Sequence, residues 1–171
     1  MTLRLMLLRH AKSDRPAGVA DEGRPLAERG RRDSARMGQH IVRKGLLPDL
    51  ALVSTARRAD ETWRAACCAF DQHAPARNEP RLYEASSREL LELVKETKPE
   101  IGSLLLVGHN PGLHEFALAL VGNGDPDDRA RLRNGLPTTG LVIIDFDVDT
   151  WSALARGLGT LRGFETPDQL G

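Results

Sequence analysis

Three short apolar runs, each ending abruptly at polar residues, constrain this chain more than any other feature. The first is Leu3, Leu5, Met6, Leu7 and Leu8, which stops at Arg9-His10. The second, Leu50 to Val53 after Pro48, stops at Ser54. The third, Leu104 to Val107, is the most apolar and stops at Gly108-His109. Continuous runs of this length read as strands buried on both faces, the habit of parallel sheets. Helical segments lie between them. A basic one spans about Glu28 to Lys44 with Gly45 as its stop, and another follows the second run, Arg57 to about Phe70, with Ser54 or Thr55 available as cap. Ser86-Ser87-Arg88-Glu89 has capping-box spacing and opens a third, running to about Lys98 before Pro99. Asn110 as cap and Pro111 in the first turn open a fourth, to Val121. The alternation predicts an α/β fold, a three-layer α/β/α sandwich with a mostly parallel central sheet.

The other segments are plainer. Asp14 to Arg24 is too polar to be core. A short strand is expected around Arg81 to Tyr83, and a long polar loop from Asn123 to about Pro137. Leu141 to Phe146 reads as a strand, turned by Asp147 to Thr150 into an antiparallel edge strand, Trp151 to Ala155. The residues beyond carry too few apolar side chains to assign. At 171 residues the chain is expected to form one domain, 1–171, with a proper core. Its 24 basic and 24 acidic residues cancel, so no global field recruits nucleic acid or a membrane. The first apolar run is too short to span a bilayer and lacks a signal-peptide cleavage pattern, which makes a cytoplasmic location the expectation. Adjacent Cys67 and Cys68 rarely bridge each other and are expected as reduced core residues.

If the strands run parallel, their polar ends share one edge of the sheet, where open α/β folds gather ligands. His10, His109 and at least one of Arg57 and Arg58 then converge with Arg9. Arginine forks suit the oxygens of a tetrahedral phosphate, and helix N-termini favour anions. Two imidazoles could also ligate zinc, but zinc ligands usually include carboxylates or cysteines, and here the neighbours are arginines. Taken alone, Arg9-His10 reads more readily as an ordinary solvated pair after a strand, since strand-ending polar residues are common.

Taken together the segments resemble the histidine phosphatase superfamily, the phosphoglycerate mutase-like fold. Leu8-Arg9-His10-Ala11-Lys12-Ser13 is similar to its first motif. Ser54-Thr55-Ala56-Arg57-Arg58-Ala59-Asp60-Glu61-Thr62 resembles the second, with Arg58 rather than Arg57 as the family's arginine. Val107-Gly108-His109-Asn110-Pro111-Gly112 resembles the third. Arg24-Pro25-Leu26 followed by Gly30, with the short chain, is similar to the small SixA-like phosphohistidine phosphatase branch. The resemblance implies that His10 is the nucleophile, that Arg9, Arg58 and His109 bind the phosphoryl oxygens, and that no metal or other cofactor is used. It also implies a general acid, for which Glu84 stands at about the right place; otherwise Glu84 is a solvated loop acid. Where the family often has a Thr or Ser helix cap after Pro-Leu, Ala27 stands, at a cost of about 1 kcal/mol or less.

Several residues carry two readings. Ser13 and Lys12 lie beside the phosphate or in a solvated loop. Thr138 and Thr139 either donate hydrogen bonds at the site mouth, which makes Thr139 a substrate-binding candidate, or simply start a strand. Arg24 reaches the site or, on the safer reading, is surface charge. His40, His73 and His114 read as structural or exposed, and Trp63 and Trp151 as packing residues. The expected activity is removal of phosphate through phospho-His10. The expected partner is a phosphorylated protein, such as a phosphotransfer domain, because no insertion after Arg58 builds a lid. The alternatives are a small phosphate ester as substrate or a non-catalytic phosphate-binding module.

Overall fold

A computed structural model describes residues 2–170. Among these residues seven strands form one sheet: β1 (Thr2–Arg9), β2 (Leu50–Val53), β3 (Ala76–Asn78), β4 (Ser103–Gly108), β5 (Val121–Gly124), β6 (Leu141–Asp147) and β7 (Gly159–Glu165). Their order is β3-β2-β4-β1-β6-β7-β5. β1, β2, β3 and β4 are mutually parallel, β6 runs against β1 and β7, and β5 is parallel to β7. Only β6 therefore points the other way. The helices are α1 (Glu28–Arg43), α2 (Arg57–Cys67), α3 (Ser87–Lys95), α4 (Gly112–Leu120) and α5 (Pro126–Asn134).

Side-chain alternation along β1 builds the three layers. Leu3, Leu5 and Leu7 face one way and join Leu90, Leu93, Leu113 and Phe116 of α3 and α4. Met6 and Leu8 face the other way and join Met37, Ile41, Ala59 and Trp63 of α1 and α2. Each buried Leu, Ile, Met or Phe among them contributes about 1.5–3 kcal/mol of transfer free energy. The expected α/β/α sandwich with a mostly parallel sheet is what the chain forms.

Several local expectations are corrected. Arg81 to Tyr83 is not a strand: Pro80–Leu82 is a single 3-10 turn, and the strand precedes it as β3. β3 is exposed at all three positions, so it leaves no apolar run to read. The polar stretch Asn123 to Pro137 holds the end of β5 and all of α5. Asp125 caps α5 by accepting from the Asp128 N–H at 3.0 Å, and Pro126 occupies its first turn. That cap was readable, but only Leu132 of α5 is buried, so the apolar periodicity is missing. Trp151 to Ala155 is not the edge strand either. Trp151 is buried within a 3-10 turn, its indole N–H bonded to the Ile101 carbonyl, while β7 pairs with β6 and β5 lies outside it. α3 has the expected capping box and ends at Lys95, short of Lys98. Cys67 is half-buried and Cys68 exposed, so neither is core; both are free. Among the described residues no helix is long and apolar enough to cross a membrane.

Candidate active site

Because β1, β2 and β4 are parallel, their carboxyl ends meet at one edge, and antiparallel β6 begins there. Backbone bonds lace this edge together. The His10 N–H donates to the Gly108 carbonyl at 3.1 Å and the Ser54 N–H to the Val107 carbonyl at 3.0 Å. Arg9 and Gly140 are joined the same way, and the Thr139 N–H is shared between the Arg9 and His10 carbonyls at 3.0 and 3.3 Å. Side chains leaving these strand ends have little freedom of placement.

His10 is buried. Its Nδ1 lies 2.9 Å from the Ala11 carbonyl oxygen, which can only accept, so Nδ1 carries the proton and Nε2 keeps its lone pair. Ala11 is anchored in turn, its N–H donating to Thr62 Oγ1 on α2 at 2.9 Å. Burial, reinforced by His109 and the arginines, pushes the His10 pKa down to about 3, against the raising effect of the Ala11 bond. The imidazole is therefore neutral at ordinary pH. His109 stands beside it, ring centroids 5.1 Å apart. Ser54 Oγ accepts from the Ala56 N–H at 3.3 Å and lies 2.7 Å from His109 Nε2. The other ring nitrogen, His109 Nδ1, is buried without a partner. Burial lowers the His109 pKa to about 4.

The arginines are held by carbonyls and one carboxylate. Arg9 Nη1 donates to the Leu136 carbonyl at 3.1 Å. Arg58, only 6% exposed, donates from Nη1 to the Asp21 carbonyl at 2.7 Å and from Nη2 to the Asp21 carboxylate at 3.1 Å. Arg24 reaches both the Asp21 carboxylate and Ser13 Oγ. The Nε atoms of Arg9 and Arg58 are buried without partners, like His109 Nδ1. Such orphaned donors are rare in folded proteins. Here they sit on residues lining one cleft of about 250 Å³, whose lining also includes His10, Lys12, Arg15 and Arg24 and contains no carboxylate. A tetrahedral dianion in that cleft would offset that charge. A larger depression of about 720 Å³ between α5 and the C-terminal residues touches this cleft only through Thr138. Charge and unsatisfied donors, not size, mark the site.

Four residues expected to converge do so: Arg9, His10, Arg58 and His109. Ser13 joins them, its hydroxyl accepting from Arg24 at 2.6 Å. Arg24 is not surface charge, since its side chain is only 12% exposed and lines the cleft. Thr139 is fully buried and is not part of the lining, whereas Thr138 is. Glu84 lines an adjoining cleft of about 430 Å³ that shares Arg58, His109 and Asn110. Its backbone is left-handed, φ +57°, unusual for a residue with a side chain. Neither Ser54 nor Thr55 caps α2, and Ser54 instead orients His109. Asn110 does not cap α4 but donates to the Leu136 carbonyl.

Sequence reasoning missed Asp21 and Tyr83. The Asp21 carboxylate accepts from Arg24, Arg58 and the Tyr83 hydroxyl, and the Tyr83 ring meets His109 edge-on at 5.5 Å. Those hydrogen bonds hold Asp21 well below the usual carboxylate range and raise the Tyr83 pKa to about 12. An Asp in an exposed polar loop gives no such signal. His40 lies buried near Glu165, His73 is exposed, and His114 bonds the Leu132 carbonyl, all outside the site. Among the described residues no three His, Cys, Asp or Glu side chains gather as a metal-ligand set.

A family model of the histidine phosphatase superfamily (branch 1) matches residues 5–100, so the chain belongs to that superfamily. The match takes in His10 and Arg58 and ends before His109. An uncharacterized protein of Mycobacterium tuberculosis is 34% identical over 162 residues, covering 94% of this chain and 99% of the relative. Among solved structures, a chain from Agrobacterium tumefaciens assigned as a phosphohistidine phosphatase SixA is 31% identical, with TM-score 0.82 over 96% of this chain and 98% of that one. A similarly assigned chain from Nakamurella multipartitia is 26% identical, with TM-score 0.84 over 98% and 97%.

Proposed function

We propose that the protein is a metal-independent phosphatase that works through a phosphohistidine on His10 and removes phosphate from phosphohistidine on a partner protein. The observation that carries the reading is the His10 tautomer. Nδ1–H is tied to the Ala11 carbonyl, so the lone pair on Nε2 is available in the cleft that Arg9, Arg58 and His109 also line. Membership of the superfamily and the likeness to chains assigned as SixA support it.

In the first step Nε2 forms a bond to phosphorus while the bond to the leaving atom breaks, its electron pair going to that atom. An imidazole departs after protonation; an ester oxygen takes its proton from Glu84. Arg9, Arg58 and His109 hold the equatorial oxygens and offset the charge that develops, the main demand of phosphoryl transfer. In the second step water attacks phosphorus, the N–P pair returns to Nε2, and a water proton is lost to Glu84 or solvent. Arginines supply the positive charge. The protein substrate is favoured because the sequence carries no long insertion after Arg58 to build a lid over a small ligand.

The test is turnover of para-nitrophenyl phosphate and of a phosphohistidine-bearing protein, each with EDTA, by wild type and His10→Ala. Turnover that persists in EDTA and disappears with His10 is expected, together with 32P trapped as acid-labile phosphohistidine. Retained phosphate binding with no turnover by wild type would point instead to a binding module. Turnover of the aryl ester alone would favour a small ester as substrate.

A further inference from the structure

The two clefts that meet at Arg58, His109 and Asn110 carry opposite charge. The one around His10 has five cationic side chains and no carboxylate in its lining. The larger one presents Asp21, Glu84 and Glu115, and its single cation is Arg58. Arg58 is already engaged there, because both terminal nitrogens donate to Asp21. Only its buried Nε is unpartnered. Asp21 is ionised well into acid, and Glu115 stands in the first turn of α4, where the helix N-terminus favours negative charge. Apolar wall is supplied by Tyr83, Ala85 and Pro111. The fold brings this wall close through Gly112, where a Cβ would lie 1.9 Å from the Ala85 carbonyl oxygen.

The two volumes share Arg58, His109 and Asn110 as a common wall. We infer that the acidic cleft receives the leaving group and selects one that bears positive charge, such as a protonated imidazole or an ammonium, over one bearing a carboxylate or a second phosphate. Glu115, which takes no part in the chemistry, is a specificity-determining residue of that cleft. The inference rests on the His10 cleft being the phosphoryl site. One carboxylate in a half-exposed cleft changes the affinity of a unit charge by roughly three- to thirtyfold.

The test is equilibrium binding by calorimetry to His10→Ala, which cannot turn the ligands over. Three alkyl phosphates of different charge serve as probes: choline phosphate, glycerol 1-phosphate and 3-phosphoglycerate. The expected order of affinity is cationic, neutral, anionic, with at least about tenfold between the extremes. Adding Glu115→Lys is expected to cut that ratio by at least about tenfold while leaving the neutral ligand nearly unmoved. The ratio is internal to each protein, so a partly unfolded sample does not distort it. Equal affinities, or a ratio indifferent to Glu115→Lys, overturn the inference and leave the phosphatase reading intact. Failure of all three ligands to bind overturns both. Loss of wild-type turnover with the charge preference intact overturns the phosphatase reading alone.

Discussion

Among the described residues, Glu84 and Thr139 are the two side-chain-bearing residues with left-handed backbone, φ +57° and +62°. Strain of this kind costs about 1–2 kcal/mol at each position and persists only where the surroundings enforce it. At Thr139 the enforcement is visible: its N–H holds the Arg9 and His10 carbonyls, so the strain serves to fix the nucleophile and its neighbouring arginine. At Glu84 the side chain is exposed beside His109, and strain and function can be separated. Glu84→Gly relieves the backbone and removes the acid. It is expected to raise stability by about 0.5–1 kcal/mol in a urea titration. Ester turnover should fall about 100-fold. Glu84→Gln should match that loss of kcat without the gain in stability. Unchanged kcat in both variants would leave Glu84 as a turn residue only.

Among the elements, two glycine contacts look alike and have different consequences. A Cβ at Gly38 of α1 would sit 2.1 Å from the Ala66 carbonyl of α2, and one at Gly112 of α4 would sit 1.9 Å from that of Ala85. Both substitutions to Ala force backbone apart, and each should cost about 1–3 kcal/mol of stability. Gly38→Ala separates two helices beneath the sheet and should leave kcat per folded molecule as it was. Gly112→Ala displaces the turn that carries Tyr83 and Glu84, and kcat should fall with stability. Active-site titration alongside thermal denaturation distinguishes the two, and equal kinetic effects would contradict this division of roles.

For the whole molecule, the price of a neutral, buried nucleophile appears as sensitivity to acid. His10 and His109 titrate near 3 and 4 in the folded chain, against 6.5 for an ordinary imidazole. Between pH 6.5 and about 4 the unfolded chain binds protons that the folded chain refuses, so stability falls as pH falls. The stability present above pH 6.5 should drop on the order of 2–4 kcal/mol by pH 5. His10→Ala should remove about half of that dependence. Urea midpoints at pH 7 and pH 5 measure it, and a midpoint that rises on acidification would show that the histidines are not held neutral.

What the sequence by itself determined was whatever depends on local pattern. Apolar runs ending at Arg9, Ser54 and His109 placed three parallel strands. The Ser86 to Glu89 spacing placed a helix start, and three motifs placed four residues of the site. These signals are local because strand burial and capping act within a few residues. Tertiary structure alone decided which side chains complete the cleft. Asp21 and Tyr83, 62 residues apart, share one hydrogen bond. Arg24 turns inward because Asp21 and the Ser13 hydroxyl await it, and Thr139 withdraws because its N–H is claimed by the ends of β1. The exposed strand β3 and the body of the weakly buried helix α5, beyond its readable cap, were illegible for the same reason. Their stability comes from neighbours across the fold, and such partnerships leave no periodic trace along the chain.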